Sequence, residues 1–178
     1  MARRPPDLSR LKRWAGHRPL TILELGLRDA EAAAWMLSEI ATAPDEQYIG
    51  VGDWRDAAEE DRARRRLAPW SERVRLFCCQ HGPLAVMRHP PPGMLQALAP
   101  GADLVYCRGR EPDPYPMLAS LVAVWPHLNI DGWLLVENYR RRRGADHSRA
   151  ADAFLAALNG KVKILWADSQ LAIQRIAA

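Results

Sequence analysis

Five short apolar runs alternate with segments of helical periodicity: Leu20–Leu25, Gln47–Val51, Arg73–Cys79, Ala102–Cys107 and Trp133–Val136. Such alternation leaves few folds open. Near-continuous apolar strands are buried on both faces, and the helices between them are the crossovers that parallel strands require. Two more apolar runs, Val162–Trp166 and Gln170–Ile176, are separated only by Ala167-Asp168-Ser169. That link is too short for a crossover, so these two strands form an antiparallel pair. Helices are predicted over Asp29–Ile40, with Asp29 near the N-cap, and over Asp56–Leu67, Tyr115–Leu128 and Ser148–Asn159. Shorter helical pieces are expected around 83–88 and 93–98, on either side of Pro90-Pro91-Pro92, and around Leu8–Trp14. Asn129–Gly132 reads as a turn. The prediction is an α/β fold with a seven-stranded, mainly parallel sheet, helices on both faces and a closing C-terminal antiparallel hairpin.

Composition narrows the setting. With 178 residues, 48% hydrophobic and 26% charged, the chain suits one soluble domain. The longest clearly apolar run, Met117–Trp125, is nine residues, too short for a bilayer. No apolar segment follows the first residues as a secretory signal would. Three cysteines, Cys78, Cys79 and Cys107, form no C-x-x-C pair and suit a reducing compartment. A cytoplasmic location is expected, without membrane association. The net charge of +4 is uneven: residues 1–18 hold six bases against Asp7, a net +5, which leaves −1 for the remainder. We therefore divide the chain into a basic N-terminal arm, 1–18, and a body, 19–178. The arm offers a surface for a protein partner. No nucleic-acid-binding motif accompanies these bases, which argues against nucleic acid as the partner.

Ligands of such sheets bind outside the carboxyl ends of the strands, near the topological switch point. That edge holds Gly26–Ala30, Gly52–Trp54, Cys79–His81, Arg108–Glu111 and Glu137–Arg140. Gly26 permits a positive φ and a close backbone approach. Ala30 and Ala32 are small but are expected at negative φ. The first amides of the helix after Asp29 suit a carboxylate.

Four segments in order carry a resemblance: Ile22-Leu-Glu-Leu-Gly26, Tyr48-Ile-Gly-Val-Gly-Asp-Trp54, Asp103-Leu-Val-Tyr106 with Gly109, and Asp131-Gly-Trp-Leu-Leu-Val-Glu-Asn-Tyr139. Together with Ala151–Leu155 and the closing strands they resemble class I S-adenosylmethionine-dependent methyltransferases, nearest to the small-molecule O-methyltransferase-like group. The resemblance implies a Rossmann-like fold and S-adenosylmethionine as cofactor. It also departs from the family. The family's second glycine and serine after the first strand are Ala30 and Ala32. The acid that grips the ribose is Gly52, with Asp53 one place later. The residue near the adenine is Gln80. The aspartate after the fourth strand is Arg108, followed by Arg110 and Glu111. The acidic pair after the fifth strand is Glu137-Asn138.

The resemblance thus implies that Glu24, Gly26, Asp53, Trp54 and Gln80 line the cofactor site. Methyl transfer to oxygen needs a held acceptor and a base for its proton. Glu137, directly after the fifth strand, is the leading candidate for that base, with Glu111 and His147 as the others. Arg108, Glu111 and Arg140 are the candidates for substrate binding, and the two arginines suit an anionic small molecule. A cation at Arg108 opposes Mg²⁺, which takes oxygen ligands, so no metal is expected. Arg140–Arg143 is either a rim for an anionic acceptor or a solvated loop. The expected function is S-adenosylmethionine-dependent methyl transfer to a hydroxyl of a small, anionic acceptor. The alternative is a pseudoenzyme, a methyltransferase fold that has lost catalysis and serves as a binding or assembly module.

Overall fold

The computed structural model describes residues 8–14, 19–52, 54, 56–78, 90, 92–109, 114–140 and 147–178. The predicted helix at 83–88 lies outside the described residues. Seven strands form one sheet: β1 Thr21–Leu27, β2 Gln47–Gly52, β3 Val74–Cys78, β4 Ala102–Cys107, β5 Leu128–Glu137, β6 Val162–Ala167 and β7 Gln170–Arg175. Their order is β3-β2-β1-β4-β5-β7-β6. The pairs among β1–β5 are parallel, and β7 runs antiparallel to both β5 and β6. The chain steps outward from β1 to β3, then returns to place β4 on the other side of β1. The switch point therefore lies between the carboxyl ends of β1 and β4.

Among the described residues, five α-helices cover the sheet: α1 Glu31–Glu39, α2 Ala57–Leu67, α3 Pro92–Ala97, α4 Pro114–Val124 and α5 Ser148–Leu158. Alternate strand residues face opposite ways. Leu23, Leu25, Val105, Cys107, Leu134 and Val136 join α3, α4 and α5 in one apolar core. Ile22, Tyr48, Leu104, Tyr106 and Leu135 join α1 and α2 in the other. The second core also takes Leu8 and, from the short 3₁₀ segment Ser9–Trp14 that follows it, Leu11. Lys12 reaches Glu39 at 2.6 Å, and Arg10 reaches Asp168 at 2.8 Å beside the Trp166 ring. Both ion pairs are exposed and so contribute at most about 1 kcal/mol each. Burial of the two leucines is the larger hold on this segment.

Three local expectations are corrected. The first helix begins at Glu31 with Ala30, not Asp29, as N-cap, and Ala30 adopts φ 60° rather than a negative φ. The left-handed turn costs a non-glycine residue about 1–2 kcal/mol. Full burial of Ala30, the Ala34 N–H bond to its carbonyl and the Asp29 carboxylate accepting the Glu31 N–H accompany it. The second correction concerns Asn129–Gly132, which is part of β5 rather than a turn. The turn-prone residues are spent on an irregularity: Asp131 lies at φ 66°, and the register with β4 shifts between Ala102 and Leu104. Finally, the predicted helix to Leu128 stops at Val124 and ends in a 3₁₀ turn, Trp125–His127, around Pro126. Asp56 caps α2, accepting the Glu59 N–H at 2.8 Å.

Candidate functional site

An acid inside an apolar strand needs partners. Glu24 sits in Leu23-Glu24-Leu25, is fully buried, and faces the α1–α2 side with Ile22. In register, Glu24 lies opposite Tyr106 of β4 and Gly50 of β2. The Tyr48 hydroxyl donates to one carboxylate oxygen. The Arg108 guanidinium donates to the other at 3.0 Å. Arg108 follows β4 directly, and its backbone N–H bonds the Leu25 carbonyl at 2.8 Å. Burial raises the Glu24 carboxyl above its ordinary range, while Arg108 and Tyr48 pull it back. Burial works against the Arg108 charge, but Glu24, Tyr106 and Glu137 more than offset it and hold its pKa above the ordinary value.

Glu137 ends β5. Its carboxylate accepts from Arg108 Nε at 3.3 Å and stands 3.8 Å from Arg28. Arg28 lies just past β1, and its guanidinium also donates to the Gly109 carbonyl at 2.9 Å. Two arginines and two carboxylates thus span the edge from β1 to β5. Tyr106 lies among them. Burial raises its hydroxyl pKa well above 10, with Glu137 adding to the rise. That hydroxyl is buried and has no hydrogen-bond partner among the described residues.

The turn after β1 brings two backbones together. Gly26 has φ +84°, and a Cβ there would lie 2.2 Å from the Arg108 carbonyl oxygen. Only glycine meets both demands. A Cβ on Gly52 would lie 2.4 Å from the Trp54 ring, so the indole occupies the space of a side chain at 52. Trp54 Nε1 donates to the Arg28 carbonyl at 2.8 Å, which ties the end of β2 to the turn after β1.

His147 precedes α5 and is almost wholly buried. It serves as N-cap residue without a side-chain cap bond. Its Nδ1 lies 2.7 Å from the Glu137 carbonyl oxygen. A carbonyl only accepts, so Nδ1 carries a proton, which leaves Nε2 as the acceptor of the neutral tautomer. A Cβ on Gly109 would lie 3.0 Å from Nε2, so this nitrogen faces the loop after β4.

The fold thus gathers Glu24, Gly26, Trp54, Arg108, Glu137 and His147 on one edge. Arg140 is exposed and stacks on the Tyr139 ring, at 4.9 Å, beyond a turn in which Asn138 and Arg140 both have positive φ. Asp53, Gln80 and Glu111 lie outside the described residues. Sequence reasoning missed Arg28, Tyr48 and Tyr106. The two tyrosines had a signal: each falls on the strand face that Glu24 occupies. Among the described residues, no three of His, Cys, Asp and Glu are grouped to hold a metal ion. Also among them, no helix is long and apolar enough to cross a membrane.

No protein-family model matches the chain, and neither does any curated protein sequence. Solved structures do match. An rRNA methylase from Streptococcus thermophilus aligns with TM-score 0.63 and 10% identity, over 99% of each chain. The O-methyltransferase NovP aligns with TM-score 0.67 and 14% identity, over 94% of this chain and 78% of its own. A TDP-rhamnose 3'-O-methyltransferase of calicheamicin biosynthesis aligns with TM-score 0.65 and 16% identity, over 94% and 76%. A Streptococcus mutans structure in complex with SAH aligns with TM-score 0.65 and 12% identity, over 99% and 100%.

Proposed function

The chain has the class I methyltransferase fold, and we propose that it binds S-adenosylmethionine at the carboxyl edge of β1, β2 and β4 and methylates a small, anionic acceptor at a hydroxyl. One observation carries the reading. Gly26, at φ +84° with the Arg108 backbone packed against it, makes the tight turn at the switch point, and Glu24, Trp54, Arg108, Glu137 and His147 gather on the same edge. The residues present keep the glycine of this turn and depart from the cofactor's needs at the ribose position. There Gly52 offers no carboxylate, and Trp54 fills its space. Asp53 is the carboxylate proposed to take over the ribose hydroxyls, and Gln80 is proposed beside the adenine. The cofactor, when bound, supplies an electrophilic methyl group.

Of the two base candidates among the described residues, His147 is the better arranged. Its Nδ1 is committed to the Glu137 carbonyl, which orients the ring and leaves Nε2 to accept a proton. The Glu137 carboxylate is already engaged by Arg108 and faces Arg28. Arg108, with Glu111 and Arg140, is proposed to orient the acceptor. The site is proposed to work in the cytoplasm without a metal.

Calorimetric titration with S-adenosylhomocysteine tests the cofactor site. Binding in the micromolar range is expected, and absence of heat and of any thermal shift at millimolar ligand counts against the reading. With labelled cofactor and hydroxylated carboxylates or phosphates as acceptors, His147→Gln should lower kcat by about 10²–10⁴-fold with little change in KM.

The Trp54–Gly52 packing favours a second reading: a retained fold without catalysis, with 19–178 as a binding body and 1–18 as its contact segment. Methyl transfer that His147→Gln abolishes excludes it. A co-purifying partner lost on deleting 1–18 supports it.

A further inference from the structure

The two guanidinium groups of the edge are each held in place without Glu137. Arg108 is fixed by the buried Glu24 at 3.0 Å, and Arg28 by the Gly109 carbonyl at 2.9 Å. The Arg28 backbone is pinned in turn by Trp54. Glu137 is the loosest member of the network. Its contacts, at 3.3 and 3.8 Å, exceed the 2.7–2.9 Å typical of tight charge-assisted bonds. Its side chain is 13% exposed, against 0% for Glu24. It also stands at the end of β5, directly before the positive-φ turn at Asn138. Beside it the Tyr106 hydroxyl, wholly buried, has no hydrogen-bond partner among the described residues. A buried hydroxyl without a hydrogen bond is unfavourable, and a ligand acceptor atom would relieve it.

We propose that Arg28, Arg108 and the Tyr106 hydroxyl form a preorganised anion seat that Glu137 holds as a placeholder, and that a carboxylate or phosphate of a small ligand displaces the Glu137 carboxylate from it. The Glu137 carboxylate between the two guanidinium groups shows that the seat takes an anion, and the ligand's carboxylate or phosphate takes its place. Both guanidinium groups keep their anchors, so little ordering is required on exchange. The acceptor's anionic group is the proposed occupant. Only that identification rests on the methyltransferase reading; the seat itself does not.

The test needs no cofactor. Wild-type protein, Glu137→Gln and Glu137→Ala are titrated with sodium acetate and, separately, with inorganic phosphate, at constant ionic strength, by calorimetry. Both variants should bind at least about tenfold more tightly than the wild type, since the internal competitor is gone. A larger gain for acetate assigns a carboxylate ligand, and a larger gain for phosphate a phosphorylated one. Adding Arg28→Met to Glu137→Gln should abolish the gain. Adding Tyr106→Phe should reduce it about fivefold, a loss that a merely structural tyrosine would not produce. Equal affinity in wild type and variants overturns the proposal, as does a gain that survives Arg28→Met. Loss of the native fold in both Glu137 variants also overturns it, because a carboxylate the fold cannot spare cannot yield to a ligand. Failure to bind S-adenosylhomocysteine leaves this result untouched, so the two readings fail separately.

Discussion

The two faces of the same strands solve opposite problems. Toward α3, α4 and α5, Leu23, Leu25, Val105 and Cys107 build an apolar layer. Toward α1 and α2, one residue away along each strand, Glu24, Tyr106 and Arg108 carry polar groups inside equally tight packing. Position along the strand matters as much as face. Ile22 and Leu104, at the amino half of the second face, are apolar, and the charges begin only toward the carboxyl edge. Period-two alternation therefore aims the polar groups, and strand direction decides that they gather where ligands of this fold bind.

The largest effect should come from splitting the charged face. Arg108→Met leaves Glu24 buried without its cation and should cost about 3–5 kcal/mol in denaturant unfolding. Adding Glu24→Gln should recover a large part of that loss, and no recovery would mean that the pair is not the cause. The pH dependence has a defined sign. Burial raises the Glu24 carboxyl above 4.5, so the native state binds its proton more tightly than the unfolded chain. The Arg108→Met deficit should therefore grow as pH rises above that value and shrink in acid.

A smaller effect of a different kind is expected on the apolar face. Leu25→Ala should cost about 2–5 kcal/mol through a cavity. Its cost relative to wild type should stay flat from pH 4 to 7 (roughly the carboxylate range). A slope like that of Arg108→Met would erase the distinction between the faces. The smallest effect concerns chemistry rather than stability. Burial pushes the Cys107 thiol up to about 12. A thiol reagent at neutral pH should modify exposed Cys78 and leave Cys107 untouched until the protein unfolds. Modification of both at similar rates would show the apolar face to be open.

Much of the fold was legible because strand and helix periods are set by local patterning. The errors fell where tertiary contact overrides it. Gly132 and Asp131 have turn chemistry, yet continued pairing of Leu128 with Ala102 draws them into β5 as an irregularity. Ala30 at positive φ is invisible in sequence, because nothing in an alanine signals a left-handed turn. For the site, a resemblance drew attention to Glu24, Gly26, Arg108 and Glu137, and the structure brings these together. The pairing of Arg108 with Glu24 was not among the sequence expectations. The pairing depends on the parallel register of β1 with β4, which places residues 84 apart in contact. Arg28 escaped notice because its role depends on which loop its long side chain reaches.

The placement of β7 has a consequence for how the molecule is assembled. Gln170–Arg175 is made after β6 yet lies between β5 and β6. The sheet is completed by insertion rather than by accretion at its rim. Until that last segment emerges, β5 lacks a neighbour on one side and β6 has none to attach it to the sheet. Deleting residues of β7 would cut the sheet in two rather than fray an edge, so this strand should tolerate deletion far less than an edge strand such as β3 or β6.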